Sequence, residues 1–401
     1  MMSERADIPA EHQADAIRVA AAPVLDIKED SKPQPGVALC LSGGGYRAMV
    51  FHLGALWRLN EVGVLKGIGR VSSVSGGSIT AGLLGLKWTR LDFDATDVGR
   101  AFEAEVVAPI RSLAGRTIDT GSVLGGVFLP GTVNERVASE YDRFLYHGAT
   151  LQDLPSDAEG PRFVINATNV QTGSLWRFMK PYMRDYQVGE VKNPQVPLSL
   201  AVGASSAFPP VLSPADLEVD ASAYTPGSMG PLGREPFTTQ VMLSDGGVYD
   251  NLGLETAWKK YQTVLVSDGG GKMESEEEPD RDWARHVLRV MDIIDNQVRS
   301  LRKRQVIESY RAGMRTGAYW GIRTDIGDYA RDRPGLVFPL PCPHEKTMEL
   351  AATPTRLARL DDAKQERLIN WGYAVCDAAL RAHYRTDLDS PGRFPYPARG
   401  V

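Results

Sequence analysis

The chain has 401 residues, 43% of them hydrophobic and 24% charged, with a formal net charge of -5. That length can bury a large core, and the apolar and charged fractions are ordinary for a globular protein. Basic residues are scattered rather than massed, which argues against a nucleic-acid binder.

Cys40, Cys342 and Cys376 are odd in number and widely spaced, with no CxxC pair. This argues against a disulfide framework or a zinc site and fits a reducing compartment. Residues 1–35 read as a polar, Ala-rich N-terminal arm ending in Lys32-Pro33-Gln34-Pro35. The arm lacks a long apolar run, which argues against a secretory signal. Nowhere does the chain reach the roughly 18 uncharged apolar residues of a membrane span, so any membrane contact would be peripheral. The expected location is the cytoplasm.

The core begins at Gly36. Val37 to Leu41 is a short apolar run of the kind that forms a buried parallel strand. It breaks at Ser42-Gly43-Gly44-Gly45-Tyr46-Arg47-Ala48, and helical spacing follows from Met49 to Glu61, with Gly63 as a stop signal. Val71 to Val74 is the next strand candidate. It breaks at Ser75-Gly76-Gly77, and Ser78 to Trp88 is helical. Residues 105–135 mix apolar residues and glycine (Val123-Leu124-Gly125-Gly126-Val127-Phe128-Leu129). They read as a helix pair on the core, with a lid or lipid-facing segment as the alternative.

Arg162 to Thr168 reads as a strand, and Ser174 to Met179 as its hairpin partner after the turn Gln171-Thr172-Gly173. Leu198 to Ala207 is small and apolar, ending at Phe208-Pro209-Pro210. Val241 to Ser244 and Val264 to Ser267 are buried-strand candidates, each running into Asp-Gly-Gly. His286 to Tyr310 and Asp361 to His383 are long helices, the first with late basic residues. Alternating strands and helices imply an α/β sheet covered on both faces.

A strand–tight turn–helix unit can place a serine hydroxyl above a helix N-terminus. Ser75 alone has a strand before it and two glycines after it, although Ser72, Ser73 and Ser78 compete. The elbow pattern Gly-x-Ser-x-Gly is met at Gly77, while Ser73 stands in place of the first glycine. The turn Gly43-Gly44-Gly45 can aim N–H groups at a developing negative charge, worth about 3–4 kcal/mol per donor. Arg47 can add charge or brace that turn. The same glycines also fit a weak dinucleotide fingerprint. The serine needs a base. Of the six histidines, His52 reads as a packing residue and His344 stays open. Asp245, ahead of Gly246-Gly247, is the stronger candidate, with Asp268 in Asp268-Gly269-Gly270 as its local double.

Taken together and in this order, these segments resemble the patatin-like phospholipase family over about residues 36–271. The glycine run with Arg47 resembles its oxyanion motif, and Ser75 its nucleophile. Asp245-Gly246-Gly247-Val248-Tyr249-Asp250-Asn251 resembles its Asp-Gly-Gly block, and Ala204 to Pro210 a segment lining the site. The resemblance implies a three-layer α/β/α sheet with mostly parallel strands, and residues 272–401 as a helical C-terminal part packed on the same domain. It implies a serine lipid acyl hydrolase of phospholipase A or esterase type, with Ser75 as nucleophile and Asp245 as base. Gly43, Gly44, Gly45 and Arg47 would hold the oxyanion, and an acyl-enzyme would form. Substrates would be phospholipids or other acyl esters, and neither metal nor cofactor is called for. A Ser-His-Asp carboxylesterase and a non-catalytic lipid- or nucleotide-binding protein are the competing readings.

Overall fold

Two apolar runs that break at glycine organise the sheet. The first is β1 (Gln34–Leu41) and the second β2 (Ile68–Ser73), which lie side by side and parallel with Leu41 opposite Ser73. A parallel pair needs a crossover, and the helix α1 (Gly45–Glu61) supplies it. The helix α2 (Gly76–Lys87) leaves β2 in the same manner. The computed structural model describes residues 33–118, 132–333 and 340–401. Most of the polar arm and the apolar run Val123 to Leu129 therefore lie outside the described residues.

The remaining strands are β3 (Arg162–Asn169), β4 (Ser174–Phe178), β5 (Tyr182–Asp185), β6 (Gly189–Lys192), β7 (Ala215–Glu218), β8 (Gln240–Asp245), β9 (Tyr261–Asp268) and β10 (Thr316–Gly321). They form one ten-stranded sheet in the order β10-β9-β1-β2-β3-β4-β5-β6, with β8 on β3 and β7 on β8. The helices used below are α3 (Ala108–Ala114), α4 (Val133–Tyr141), α5 (Leu198–Ser205), α6 (Trp283–Arg311) and α7 (Asp362–His383).

Side chains alternate faces along a strand, and β1 shows what each face meets. Leu39 and Leu41 enter a large cluster with α1, α2 and α7. Ala38 and Cys40 enter a second cluster with Leu252, Leu254, Val266 and Val306 of α6. Helices therefore cover both faces, as a three-layer α/β sheet requires. Within the 105–135 region, Ile110 and Leu113 of α3 are buried in the first cluster, as core helices are.

Two features differ from the sequence reading. First, the half of the sheet beyond β3 is antiparallel, and β8 pairs antiparallel with β3 rather than joining the parallel strands. Short connections such as Gln171-Thr172-Gly173 allow only hairpins, so the parallel order stops at β3. Second, the C-terminal part is not helical throughout. Thr316 to Gly321 extends the sheet as β10, parallel to β9, and its Gly317 and Gly321 and the lack of apolar/polar alternation hide the strand pattern.

The α1 and α7 helices cross at two glycines. A Cβ on Gly372 would sit 1.9 Å from the Phe51 carbonyl oxygen, and one on Gly54 2.0 Å from that of Ile369. Beside this crossing, Asp377 is buried between two arginines, with Arg58 Nη2 at 2.8 Å and Arg381 Nη2 at 2.7 Å. Because α1 begins at the glycine turn, this crossing fixes the turn's height above the sheet. Gly372→Ala is expected to destabilise the fold by about 1–3 kcal/mol, since backbone has to move to admit the methyl group. Urea unfolding monitored by circular dichroism measures this. A loss below a few tenths of a kcal/mol would show that the crossing is looser than described.

Candidate active site

The edge of β3 brings two distant segments together. Its first half pairs with β2, ending at Ser73 opposite Ile165. Its second half pairs on the same side with β8, where Asp245 lies opposite Ala167. β2 and β8 run towards each other along that edge, and only Asn166 separates their last pairs. The chain after Ser73 and the side chain of Asp245 must therefore meet at the gap. Asn166 fills it, donating through Nδ2 to the Ser72 hydroxyl at 3.0 Å and the Ser73 carbonyl at 2.9 Å.

Ser75 sits in that gap, ahead of the first turn of α2. Its φ of 52° and ψ of -123° are strained for a side-chain-bearing residue, worth about 1–3 kcal/mol. The neighbouring glycines explain how the turn fits. A Cβ on Gly76 would lie 2.1 Å from the Gly45 carbonyl oxygen, and one on Gly77 2.5 Å from that of Leu41. Ser73, where the elbow pattern has glycine, accepts a hydrogen bond from the Ser78 hydroxyl at 3.0 Å, so its hydroxyl is accommodated inside the sheet.

Ser205, at the end of α5, ties the two halves. Its carbonyl accepts from the N–H groups of Ser75 and Gly246, each at 3.2 Å. Its hydroxyl accepts from Ser75 N–H at 3.0 Å and donates to the Asn166 carbonyl at 2.7 Å. Asp245 N–H donates to the Ala207 carbonyl, two residues on. Neither Ser205 nor Asn166 was identifiable individually from sequence. The segment Ala204 to Pro210 was the one available signal for Ser205.

The two Asp-Gly-Gly carboxylates differ in their surroundings. Burial lifts the Asp245 carboxyl to about 7, against the opposing pull of the Gly247 N–H and the Ser75 hydroxyl. One carboxylate oxygen accepts from Gly247 N–H at 2.7 Å. The other has no partner with hydrogen-bond geometry, while the Ser75 hydroxyl is close enough to the carboxyl to draw its pKa down. Catalytic hydrogen bonds are often long before substrate binds. Asp268 is also buried, but it accepts from Tyr319 at 2.7 Å and from Gly270 N–H at 3.0 Å and pairs with Arg299 at 3.3 Å. These outweigh burial and hold its carboxyl below the ordinary value. An anion so committed is a poor base.

In the first glycine turn, Gly43 N–H donates to the Asn251 carbonyl at 3.0 Å, so it is already used. Among the described residues no acceptor takes the N–H of Gly44 or Gly45. Gly44 has φ 141° and Gly45 φ 60°, both open to glycine. Arg47 turns away from Ser75. Its Nε donates to the Gly269 carbonyl at 3.1 Å and its Nη1 to the Thr353 carbonyl, so it braces the turn and does not point at an oxyanion.

The described histidines sit elsewhere. His52 is buried, with Nε2 donating to the Ser42 carbonyl at 2.9 Å and Nδ1 accepting from the Ser267 hydroxyl at 2.7 Å. Burial pushes its pKa down to about 4, so it is a neutral bridge between strand ends. His147, His286, His344 and His383 are exposed, and none bonds Ser75 or Asp245. His12 lies outside the described residues. Among the described residues there is no cluster of three or more His, Cys, Asp or Glu that could hold a metal, and no helix long and apolar enough to cross a membrane.

A strained serine at a strand–helix turn, a glycine turn and a buried carboxylate are thus brought together at one end of an α/β sheet. The chain belongs to the patatin-like phospholipase family, whose model matches residues 39–258, more than half of its length. No curated protein sequence matches it. Among solved structures it is similar to human GIVD cytosolic phospholipase A2 in complex with methyl gamma-linolenyl fluorophosphonate, at 15% identity and a TM-score of 0.47, over 93% of this chain and 62% of that one. VipD from Legionella pneumophila is similar at 14% identity and a TM-score of 0.30, over 87% of this chain and 74% of that one. The chain spans only 46% to 62% of the human phospholipase chains it resembles.

The raised carboxyl has a consequence for stability. Between the ordinary carboxylate range and about 7, folded Asp245 holds a proton that the unfolded chain releases, so stability falls as pH rises through that window. Asp245→Asn removes the buried charge. Its melting temperature relative to the unmodified chain is expected to be higher at pH 8 than at pH 5. A difference that does not change with pH would contradict burial of an ionisable Asp245.

Proposed function

We propose that the protein is a serine lipid acyl hydrolase working through a Ser75–Asp245 dyad. One observation carries this reading: Asp245 is buried at the strand gap beside Ser75 and holds a carboxyl near 7, poised to accept a proton at neutral pH. Asp245 takes the Ser75 proton as Ser75 Oγ attacks the ester carbonyl. The tetrahedral oxyanion is held by the Gly44 and Gly45 N–H groups. The ester C–O bond breaks, the leaving alcohol takes the proton back from Asp245, and an acyl-enzyme remains. Water then attacks the acyl-enzyme, giving its proton to Asp245. The fatty acid leaves and Ser75 recovers its proton. The neutral His52 bridge, and the absence among the described residues of a histidine bonded to Ser75, favour this over a Ser-His-Asp arrangement.

The substrates we propose are phospholipids or other acyl esters, reached by peripheral contact with a lipid surface. α6 supports the second part. Trp283, Val287, Met291, Ile294 and Leu301 lie at helical spacing along one stripe and are exposed, Trp283 at 83%. Exposed Phe208 and Val248, which flank the Ala207 and Asp245 positions, add apolar surface near the site.

The test is hydrolysis of a soluble nitrophenyl ester and of phospholipid vesicles. Ser75→Ala is expected to lose at least about a thousand-fold in rate while staying folded. Asp245→Asn is expected to lose at least about a hundred-fold, and Asp268→Asn much less. The rate should rise with pH through about 7, because the base works ionised. Ile294→Asp should slow vesicle hydrolysis but not the soluble ester. Activity that survives Ser75→Ala sinks the nucleophile assignment. Equal losses in Asp245→Asn and Asp268→Asn sink the dyad.

A further inference from the structure

A polar cavity of about 340 Å³ opens at the C-terminal ends of β9 and β10, apart from the Ser75 site. The chain runs one way across the sheet from β1 to β2 and β3, and the other way from β9 to β10. In open α/β sheets, ligands lodge outside the carboxyl ends of strands where the order reverses in this manner. Two glycine turns stand there, Gly43–Gly45 after β1 and Gly269–Gly271 after β9, and the cavity lies on the β9 side.

Its lining is strongly cationic in a chain of net charge -5. Lys272, Arg299, Lys303 and Arg323 face it, against the single carboxylate of Asp268. Asp268 is already engaged by Arg299, Tyr319 and Gly270 N–H. Arg299 donates through Nη1 to the Gly271 carbonyl, but its buried Nε has no partner. Behind the wall, Arg47 is 3% exposed and its Nη2 is also buried and unpartnered. A Cβ on cavity-lining Gly271 would lie 3.0 Å from that nitrogen. Arg299 and Arg323 each draw down the pKa of Arg47, to a smaller degree than burial does, so these like charges repel. Unpartnered guanidinium nitrogens beside a cationic cavity call for an anion with several acceptor oxygens.

We propose that this cavity binds the phosphate group of a phosphate monoester, carried either by a soluble ester or by a lipid headgroup. Arg299 forms its floor, Arg47 lies behind the Gly271 wall, and Lys272, Lys303 and Arg323 form its rim. The proposal is independent of the role of Ser75. Because Arg47 also braces Gly269, and a Cβ on Gly44 would lie 3.2 Å from its Nη2, the anion sits one side chain away from the first glycine turn.

The test is calorimetric titration of the full chain with inorganic phosphate and with glycerol 1-phosphate at fixed ionic strength, with chloride as control. Co-sedimentation with phosphatidylcholine vesicles, with and without phosphatidic acid, is run alongside. The double variant Lys303→Ala/Arg323→Ala changes exposed rim residues and should stay folded, which circular dichroism checks. Saturable binding that weakens at least about ten-fold in the double variant is expected. Binding of glycerol 1-phosphate without vesicle discrimination assigns the soluble ester, and discrimination for phosphatidic acid lost in the variant assigns the headgroup. No saturable binding of either kind, or binding unchanged in a folded double variant, overturns the proposal.

Discussion

The shared edge of β3 is the constraint on which the rest of the site depends. β2 and β8 come from segments 167 residues or more apart, yet they pair with consecutive halves of one strand and stop either side of Asn166. A one-residue slip in either register would turn its side chains to the other face and part Ser75 from Asp245. The carbonyl of Ser205 ties both halves by accepting from Ser75 and Gly246 N–H, and its hydroxyl and the amide of Asn166 pin the Ser75 half to β3, inside the protein where such bonds are hard to exchange for water.

The same constraint explains why two identical local motifs end up in opposite electrostatic states. Asp245 and Asp268 each close a buried strand and precede two glycines. Asp245 faces the gap, where burial has only one backbone amide and a serine hydroxyl to oppose it. Asp268 faces α6 and β10, which supply Arg299 and the Tyr319 hydroxyl. Partners from distant elements, not the motif, decide which carboxylate can exchange a proton near neutral pH. In the proposed mechanism, a carboxyl near 7 takes the part that a histidine plays in a Ser-His-Asp arrangement.

Much of this was legible in the sequence because the signals are local. Val37 to Leu41 is apolar and ends at glycine, and β1 follows; the tight glycines after Ser75 announce a strained turn before any contact is known. The position and type of α1, α2, α6 and α7 follow from helical spacing. What was not legible depends on distant contacts. The direction of β8 is set by β3, and the strand character of Thr316 to Gly321 only by pairing with β9. That Gly43 spends its amide on Asn251, and that Arg47 braces Gly269, depend on chain segments about 200 residues away or more. No spacing in the first glycine turn encodes either.

The most direct measurement of the central claim is covalent trapping with a fluorophosphonate probe, followed by peptide mapping by mass spectrometry across a pH series. The account requires one adduct, on Ser75, forming faster as pH rises through about 7 and slowed in Asp245→Asn. An adduct on any other residue, or labelling of Ser75 at a rate indifferent to both pH and Asp245, would contradict it.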